Sequence, residues 1–416
     1  MARLSVGSAY AQNRSFRDTF TGFSGHSLLP GGFARSALAV APRTPMAVRG
    51  SGCHLRDEAG RTVIDTHNTF AALIHGHAHP VVEEAAARAM RDGMAFGLPT
   101  MYEVDHARLT LERLRYVDQI SYTTSGSEAV TLAVRLARAA TGRAKIVLLE
   151  GAWHGHSDLA LAPGGPDVRR GVPAGVVEDV LQVAADDVAA LTEVFDTFGA
   201  DIAAVLIDPR PSRSTPLSPT FWAAVRALSA AAGALLISDE TVALRLAYHG
   251  AAMDAGVAPD LIVLGGLIGG GSPIGAVAGR AEWLSLLDPL QRGLPHGGTF
   301  SANPVTMAAG MACLRLFTST EVDRLNRLGD RLRATLRPAA ERLGYRVTGT
   351  GSLFGLDTGS VHGPQTALWW AAYDSGVLLA PSGQGSLSTP MTESVVDEIA
   401  DHLSVAMAAV TDAVPS

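Results

Sequence analysis

The sequence predicts an α/β protein, with a large domain on a mostly parallel, doubly wound sheet and a smaller α+β domain. Three observations predict it. Four short apolar runs, KIVLL (145–149), IAAVLI (202–207), ALLIS (234–238) and LIVLG (261–265), alternate with helical patterns. Each run is nearly continuous in apolar residues, as strands buried on both faces of a parallel sheet are. After residue 312 helices come first, then a more β-like stretch and a closing helix, which is the order of a separate smaller domain.

The elements follow in chain order. The first 45 or so residues are rich in Gly, Pro and Ser and lack periodicity, so they read as an arm or a set of short elements. GCHLRDEAGRTVIDT predicts two short strands joined by a turn at Asp57, Glu58, Ala59 and Gly60. VVEEAAARAMRDG and SEAVTLAVRLARAATG predict helices, and in the second Val130, Val134 and Ala137 share one face. The expected division is an N-terminal arm with part of the small domain (1–80), a large domain (81–311) and a C-terminal small domain (312–416).

Composition narrows the function. Hydrophobic residues make up 47% and charged residues 18%, which supports a sizeable core and excludes wholesale disorder. A net charge of −7 argues against nucleic acid or an anionic membrane as partner. No apolar run approaches the ~18–20 residues that span a bilayer. MARLSVGSAYAQNRSF has no apolar segment of the secretory type, so the expected compartment is the cytoplasm. Cys53 and Cys313 cannot make a disulfide framework. The runs His75–His77 and His154–His156 lack acidic or cysteine partners at diagnostic spacing, so no metal is expected. Among 33 basic residues there is a single lysine, Lys145.

Four segments carry residue types suited to chemistry. Ser125-Gly126-Ser127-Glu128 precedes an amphipathic helix, whose first amides and dipole suit a phosphate; taken alone, it reads first as a capped helix start. GAWHGHSD (151–158) follows the strand KIVLL, at the strand end where open α/β sheets bind ligands. There Trp153 suits stacking on an aromatic cofactor and His154 suits positioning it. Asp239 follows ALLIS, where a carboxylate can pair with a protonated pyridine nitrogen or simply cap a loop. In HGGTFSANP (296–304), Gly298 and Thr299 offer an amide and a hydroxyl to a phosphate.

Each signal is weak alone, but their order and spacing resemble those of the class III aminotransferases, and most closely the glutamate-1-semialdehyde 2,1-aminomutases. The resemblance runs from about Leu29 to Leu403. It rests on LPGGFARS, GHAHP, TTSGSEAVTLAVRLARAATGRAKIV, EGAWHGHSD, SDETVALRLAYHGAAMDAGVAPDLIVLGGLIGGGSPIGAVAGR, HGGTFSANPVTMAAG and LLAPSGQGSLST. It implies the fold-type I architecture of enzymes dependent on pyridoxal 5'-phosphate (PLP), active as a homodimer with shared active sites. Ser125, Gly126 and Ser127 match the phosphate cradle. Trp153 matches the stacking aromatic, with His154 following it. Asp239 matches the acid on the ring nitrogen, and Thr299 matches the phosphate contact made by the neighbouring subunit.

One departure dominates. The family motif Leu-Gly-Lys-Ile-Ile-Gly-Gly-Gly reads here Leu264-Gly265-Gly266-Leu267-Ile268-Gly269-Gly270-Gly271, without a gap. The resemblance therefore places Gly266 at the Schiff-base lysine position. Lys145 matches a different family lysine, one that opens a strand. The aminomutase's carboxylate near the C-terminal strand is also absent from PSGQGSLST, so glutamate semialdehyde is not the expected substrate. A glycine neither bonds the cofactor nor shuttles a proton. Cys53, His67, His75 and His154 are candidates by type for a replacement base; Cys53 is also what a small buried apolar residue looks like. The expected function is non-covalent binding of PLP or pyridoxamine 5'-phosphate (PMP) and lysine-independent chemistry on an amine or carbonyl substrate: aminotransfer, isomerisation, epimerisation or dehydration. The alternatives are a catalytically silent homologue that binds cofactor or a partner, and an engineered lysine replacement.

Overall fold

The computed structural model describes residues 28–210, 216–359 and 365–413. Most of the expected N-terminal arm therefore lies outside the described residues, as does the stretch read for a secretory signal. The chain divides into two compact units: Pro80–Val322, and a discontinuous unit of Met1–His79 with Asp323–Ser416.

In the discontinuous unit, β1 (Ala47–Ser51), β2 (His54–Asp57) and β3 (Thr62–Asp65) form an antiparallel meander. The predicted turn closes β2 onto β3. Asp57 Oδ1 accepts from the amides of Ala59 (2.9 Å) and Arg61 (2.8 Å), and Gly60 takes φ +84°. Asn68, Thr69, Phe70 and Ala71 then run left-handed, with φ from +45° to +69° and no glycine among them. Such backbone costs on the order of 1–2 kcal/mol per residue. Asn68 pins it, donating from its amide to Asp65 Oδ1 (2.9 Å) and from its side chain to Ser386 O (2.8 Å).

The large unit carries α1 (Pro80–Asp92) and α2 (Met101–Arg113), then β4 (Gln119–Thr123), α3 (Gly126–Thr141), β5 (Lys145–Leu149) and β6 (Val180–Val183). α4 (Val188–Phe198), β7 (Ile202–Ile207), α5 (Pro219–Ala232), β8 (Leu235–Asp239), β9 (Leu261–Gly265), β10 (Gly275–Gly279) and α6 (Pro304–Leu316) complete it. The sheet order is β4-β10-β9-β8-β7-β5-β6, and β10 alone runs antiparallel to its neighbours. Every residue of β7, β8 and β9 is buried, which is why their sequences are apolar runs rather than alternations. One sheet face packs under α3 through Val130, Ala133, Val134 and Ala137, against Ile146, Leu148, Leu206 and Ile237. The opposite face packs under α4 and α5 through Leu191, Phe195, Phe221 and Trp222, against Val147, Val205 and Leu236. Covering both faces is what makes the sheet doubly wound.

β4, β6 and β10 were not among the predicted strands. β10 reads GAVAG, with none of the bulk that marks a strand. Close approach explains its first glycine, since a Cβ on Gly275 would stand 2.0 Å from Ser125 O. The unit boundary also falls later than the expected residue 312. α6 is buried along most of its length and packs against α1 and α2, so it belongs to the large unit.

The discontinuous unit continues with α7 (Ser319–Arg342), which opens just before its first residue, then β11 (Arg346–Thr348), β12 (Leu353–Asp357), α8 (Gln365–Ser375), β13 (Val377–Leu378), β14 (Gln384–Ser386) and α9 (Glu393–Ala413). β13 pairs parallel with β3, and β11, β12 and β14 form a second, antiparallel sheet. Among the described residues no helix is long and apolar enough to cross a membrane.

Candidate active site

Asp239 is the last residue of β8 and is 4% exposed. Its Oδ2 accepts from His154 Nδ1–H at 2.8 Å, and its Oδ1 accepts from the Thr241 amide at 3.1 Å. His154 comes from the loop after β5 and is equally buried. Its Nε2 has no hydrogen-bond partner among the described residues. Trp153, one residue earlier, is only partly buried. The neighbouring Glu240 fixes the backbone after β8, accepting from Ser238 Oγ (3.0 Å) and from the amides of Ala251 (3.0 Å) and Ala252 (2.9 Å). Burial pushes its carboxyl pKa above the usual range.

The segment after β4 meets this pair across glycines. Ser125 caps α3, its Oγ accepting from the Glu128 amide at 3.2 Å. Glu128 Oε2 accepts in turn from the amide and hydroxyl of Thr124, both at 2.7 Å; the hydroxyl contact leads in holding its pKa low. The amides of Gly126 and Ser127 belong to the helix's first turn, where no intrahelical acceptor exists. A Cβ on Gly126 would stand 3.1 Å from Thr241 Cγ2, and one on Gly265 3.3 Å from the same methyl. A Cβ on Gly155 would fall 2.2 Å from Ser127 Oγ, at φ +95°. Ser127 Oγ also meets His156 Nδ1 at 3.0 Å. The loops after β4 and β5 thus approach one another because Gly155 lacks a side chain, and those after β4, β8 and β9 meet tightly at Gly126 and Gly265.

Gly266 opens the turn Gly266–Gly269 after β9, with φ +29°, inside the region that favours glycine. Two buried side chains hold this turn. His106 Nε2–H donates to Ile268 O at 2.8 Å while its Nδ1 accepts from Tyr122 Oη at 2.8 Å, and Cys313 Sγ–H donates to Leu267 O at 3.2 Å. Burial holds the His106 pKa below 6.5 and pushes the Cys313 thiol up to about 12, so both stay neutral. His106→Leu leaves Ile268 O and Tyr122 Oη unsatisfied, and an expected ~1–3 kcal/mol of stability is lost in urea unfolding. Because the folded pKa is depressed, the unfolded chain protonates first as pH falls. The contribution is therefore complete above pH 6.5 and shrinks below it. A difference between wild type and variant that is the same at about pH 7.5 and about pH 5.5 would refute this account.

Lys145 opens β5, at the sheet edge opposite the strand ends that carry Asp239 and Gly265. Its Nζ donates to Glu178 O at 3.0 Å and lies 5.4 Å from the Phe198 ring. Thr299 sits in an exposed loop before α6, beside exposed Phe300, and Gly298 O accepts from the Ser301 amide at 3.0 Å. Cys53, His67 and His75 belong to the other unit. There Cys53 is buried and burial raises its thiol pKa, His67 Nδ1 accepts from the Phe70 amide, and His75 Nδ1 meets Thr389 Oγ1 at 2.9 Å.

Sequence reasoning passed over three charged residues of the large unit. Asp208 and Arg210 follow β7, 7% and 3% exposed, and Arg245 is fully buried after β8. The signal was present: charged residues directly after a buried apolar strand stand at the ligand-binding edge of such a sheet. Burial pushes the Asp208 pKa up, and it feels Arg210, Asp239 and His154.

A strand-end acid with its imidazole and a glycine-lined helix start on a doubly wound sheet define a protein of the cofactor-dependent transferase class. The model of the family aminotransferase class-III matches residues 37–410, and the chain belongs to that family. It has the fold-type I transferase architecture. An omega-transaminase from Sphaerobacter thermophilus is 37% identical, with 97% of this chain and 99% of that one covered and a TM-score of 0.88. A transaminase with PLP bound is 35% identical over 97% of each chain, with a TM-score of 0.89. The likeness to glutamate-1-semialdehyde aminomutase holds for the fold: the enzyme from Pseudomonas aeruginosa PAO1 is 22% identical over 96% of this chain and 94% of that one, with a TM-score of 0.84.

Proposed function

We propose that this chain binds PLP or PMP without a covalent bond and, as a homodimer, acts on an amine-bearing or carbonyl small molecule by a lysine-independent route. The observation that carries the reading is the His154–Asp239 pair at 2.8 Å in a chain whose single lysine is engaged elsewhere. The residues present fit such a cofactor. Glycines let the strand-end loops close on one another, the first amides of α3 lack intrahelical acceptors, and Trp153 keeps part of its indole exposed.

When bound, the cofactor supplies an aldehyde or amine to exchange with the substrate and a ring that accepts an electron pair. The protein's part follows from its own groups. Asp239 holds a proton on the ring nitrogen, and His154 keeps that carboxylate oriented. Gly126 and Ser127 hold the phosphate by their amides, and Ser127 adds its hydroxyl as a donor. Trp153 covers one ring face and excludes water from it. Gly266 offers no group to take the substrate's proton, so another base determines whether the outcome is aminotransfer, isomerisation, epimerisation or dehydration.

A second reading, cofactor binding without turnover, is favoured by one observation: the two imidazoles of the β5 loop are engaged, His154 with Asp239 and His156 with Ser127. Exchange of the substrate's α-hydrogen in deuterated water, measured on loaded protein with a panel of amino acids and amines, separates the two. Exchange supports the enzyme, and none across the panel supports the silent homologue. A purified protein that takes up neither PLP nor PMP at micromolar concentration would defeat both.

The dimer is proposed from an apolar surface. Met90, Met94, Phe96, Leu98 and Met101 are all exposed within one short stretch, and Phe300 is exposed next to Thr299. Large apolar side chains left exposed this close together in the chain suit an interface. Phe96→Asp with Leu98→Asp is expected to give a monomeric mass by light scattering where the wild type gives a dimer. A wild-type monomer that still binds cofactor tightly would count against shared sites.

A further inference from the structure

We propose that Arg210 binds the phenolic oxygen at C3 of the cofactor ring and holds it as an oxyanion, standing in for the positive charge that a lysine at position 266 would bring. This rests on the reading that the cofactor is held without a covalent bond.

Two observations carry it. The first is an under-used buried charge. Arg210 is 3% exposed, yet its Nε has no hydrogen-bond partner among the described residues. Its closest ion pair in the site, Nη2 to Asp208 Oδ1, is 3.8 Å long, too long for a hydrogen bond, and Asp208 Oδ1 already accepts from the Arg210 amide at 2.9 Å. A guanidinium has five donors in a fixed fork, and burying it is costly unless they are used. Arg245 adds a second buried cation whose pKa falls to about 9, through burial first and then the charge of Arg210.

The second observation is the order of the sheet. The helix start suited to phosphate follows β4, Asp239 ends β8, and Arg210 follows β7, the next strand beyond β8 on the side away from β4. On the pyridine ring the phosphate arm (C5) and the hydroxyl (C3) lie on opposite flanks of the line from the nitrogen to C4. With the nitrogen at Asp239 and the C5 arm directed toward β4, the C3 flank faces β7. Neighbouring strands lie ~4.8 Å apart, which is the scale of the distance from the ring nitrogen to that oxygen. A guanidinium there forms a charge-assisted hydrogen bond to the ionised oxygen, stronger than one to the neutral phenol, and so favours ionisation.

The test uses purified full-length protein reconstituted with PLP and, separately, with its 3-O-methyl analogue, which cannot ionise at that oxygen. Absorbance against pH reads the phenol's ionisation, and equilibrium titration reads affinity. Wild type is expected to keep bound PLP ionised to lower pH than free PLP. Arg210→Met is expected to raise that ionisation pH and weaken PLP binding about tenfold or more, while the methylated analogue binds wild type and variant alike. Arg210→Lys is expected to keep much of the ionised form. Asp208→Asn with Arg210→Met removes both charges and guards against misfolding around an unpaired acid; it is expected to shift the ionisation as the single variant does. Equal weakening of both ligands, or an unmoved ionisation in a folded variant, would overturn the assignment. Failure of the wild type to bind PLP at all would overturn the cofactor reading and this one with it.

Discussion

Treating the cofactor-loaded protein with borohydride, without substrate, is expected to leave the mass of the chain unchanged and release all cofactor on denaturation. Borohydride fixes cofactor to a protein only through an amine bonded to its aldehyde carbon. The chain has one lysine, and its Nζ is held by Glu178 O at the edge of the sheet remote from Asp239. The residue that follows β9 is glycine. Lys145→Arg is therefore expected to change nothing. Gly266→Lys is expected to reverse the result: the amine condenses with the cofactor aldehyde, water leaves, and reduction fixes one cofactor per chain, which gains the cofactor mass less one oxygen. The new side chain must accept φ near +29°, a strain on the order of 1–2 kcal/mol against a typical stability of about 5–15 kcal/mol, so the variant should fold. His106 and Cys313 hold the carbonyls of the next residues of the same turn, which limits how far the backbone can relax around the lysine. Reduced cofactor found on the resting wild-type chain would refute the expectation.

Some of this was legible in the sequence for physical reasons. β5, β7, β8 and β9 are apolar because both sheet faces are covered, and a buried parallel strand leaves that mark whatever its neighbours do. Asp239 stood out because it directly follows such a run, at a strand end where a carboxylate can pair with a protonated pyridine nitrogen. β10 was hidden because it is mostly Gly and Ala between two sheet neighbours, and its identity depends on what approaches it, Ser125 O above all. The pairing of His154 with Asp239 spans 85 residues and depends on strand order, which no local pattern encodes. His106 and Cys313 carry no motif. Their roles exist only once α2 and α6 are packed over the Gly266 turn, and the same packing moves the unit boundary past α6 to Val322. Arg210 carried the strand-end signal, but what singles it out, its burial and its unpartnered Nε, exists only in the folded chain.

Asp239→Ala is expected to produce two separable losses. The first is in the protein alone. His154 Nδ1 would lose its acceptor while Nε2 already has none among the described residues, leaving an unsatisfied imidazole in a 3%-exposed position. A buried unsatisfied polar group costs about 1–3 kcal/mol, which urea unfolding of the apo-protein would register. His154→Ala in the same background should then cost less than it does alone, because the pair acts as a unit. The second loss is in binding. A hydrogen bond to a charged group contributes about 1.5–3 kcal/mol, so PLP affinity should fall roughly 10- to 150-fold, and turnover should vanish because the ring nitrogen no longer keeps its proton. Asp239→Asn keeps the shape and an acceptor for the Thr241 amide but removes the charge. It is expected to recover much of the stability and little of the activity. If Asp239→Ala loses stability but binds PLP as tightly as wild type, the carboxylate serves only to seat His154, and the ring nitrogen lies elsewhere.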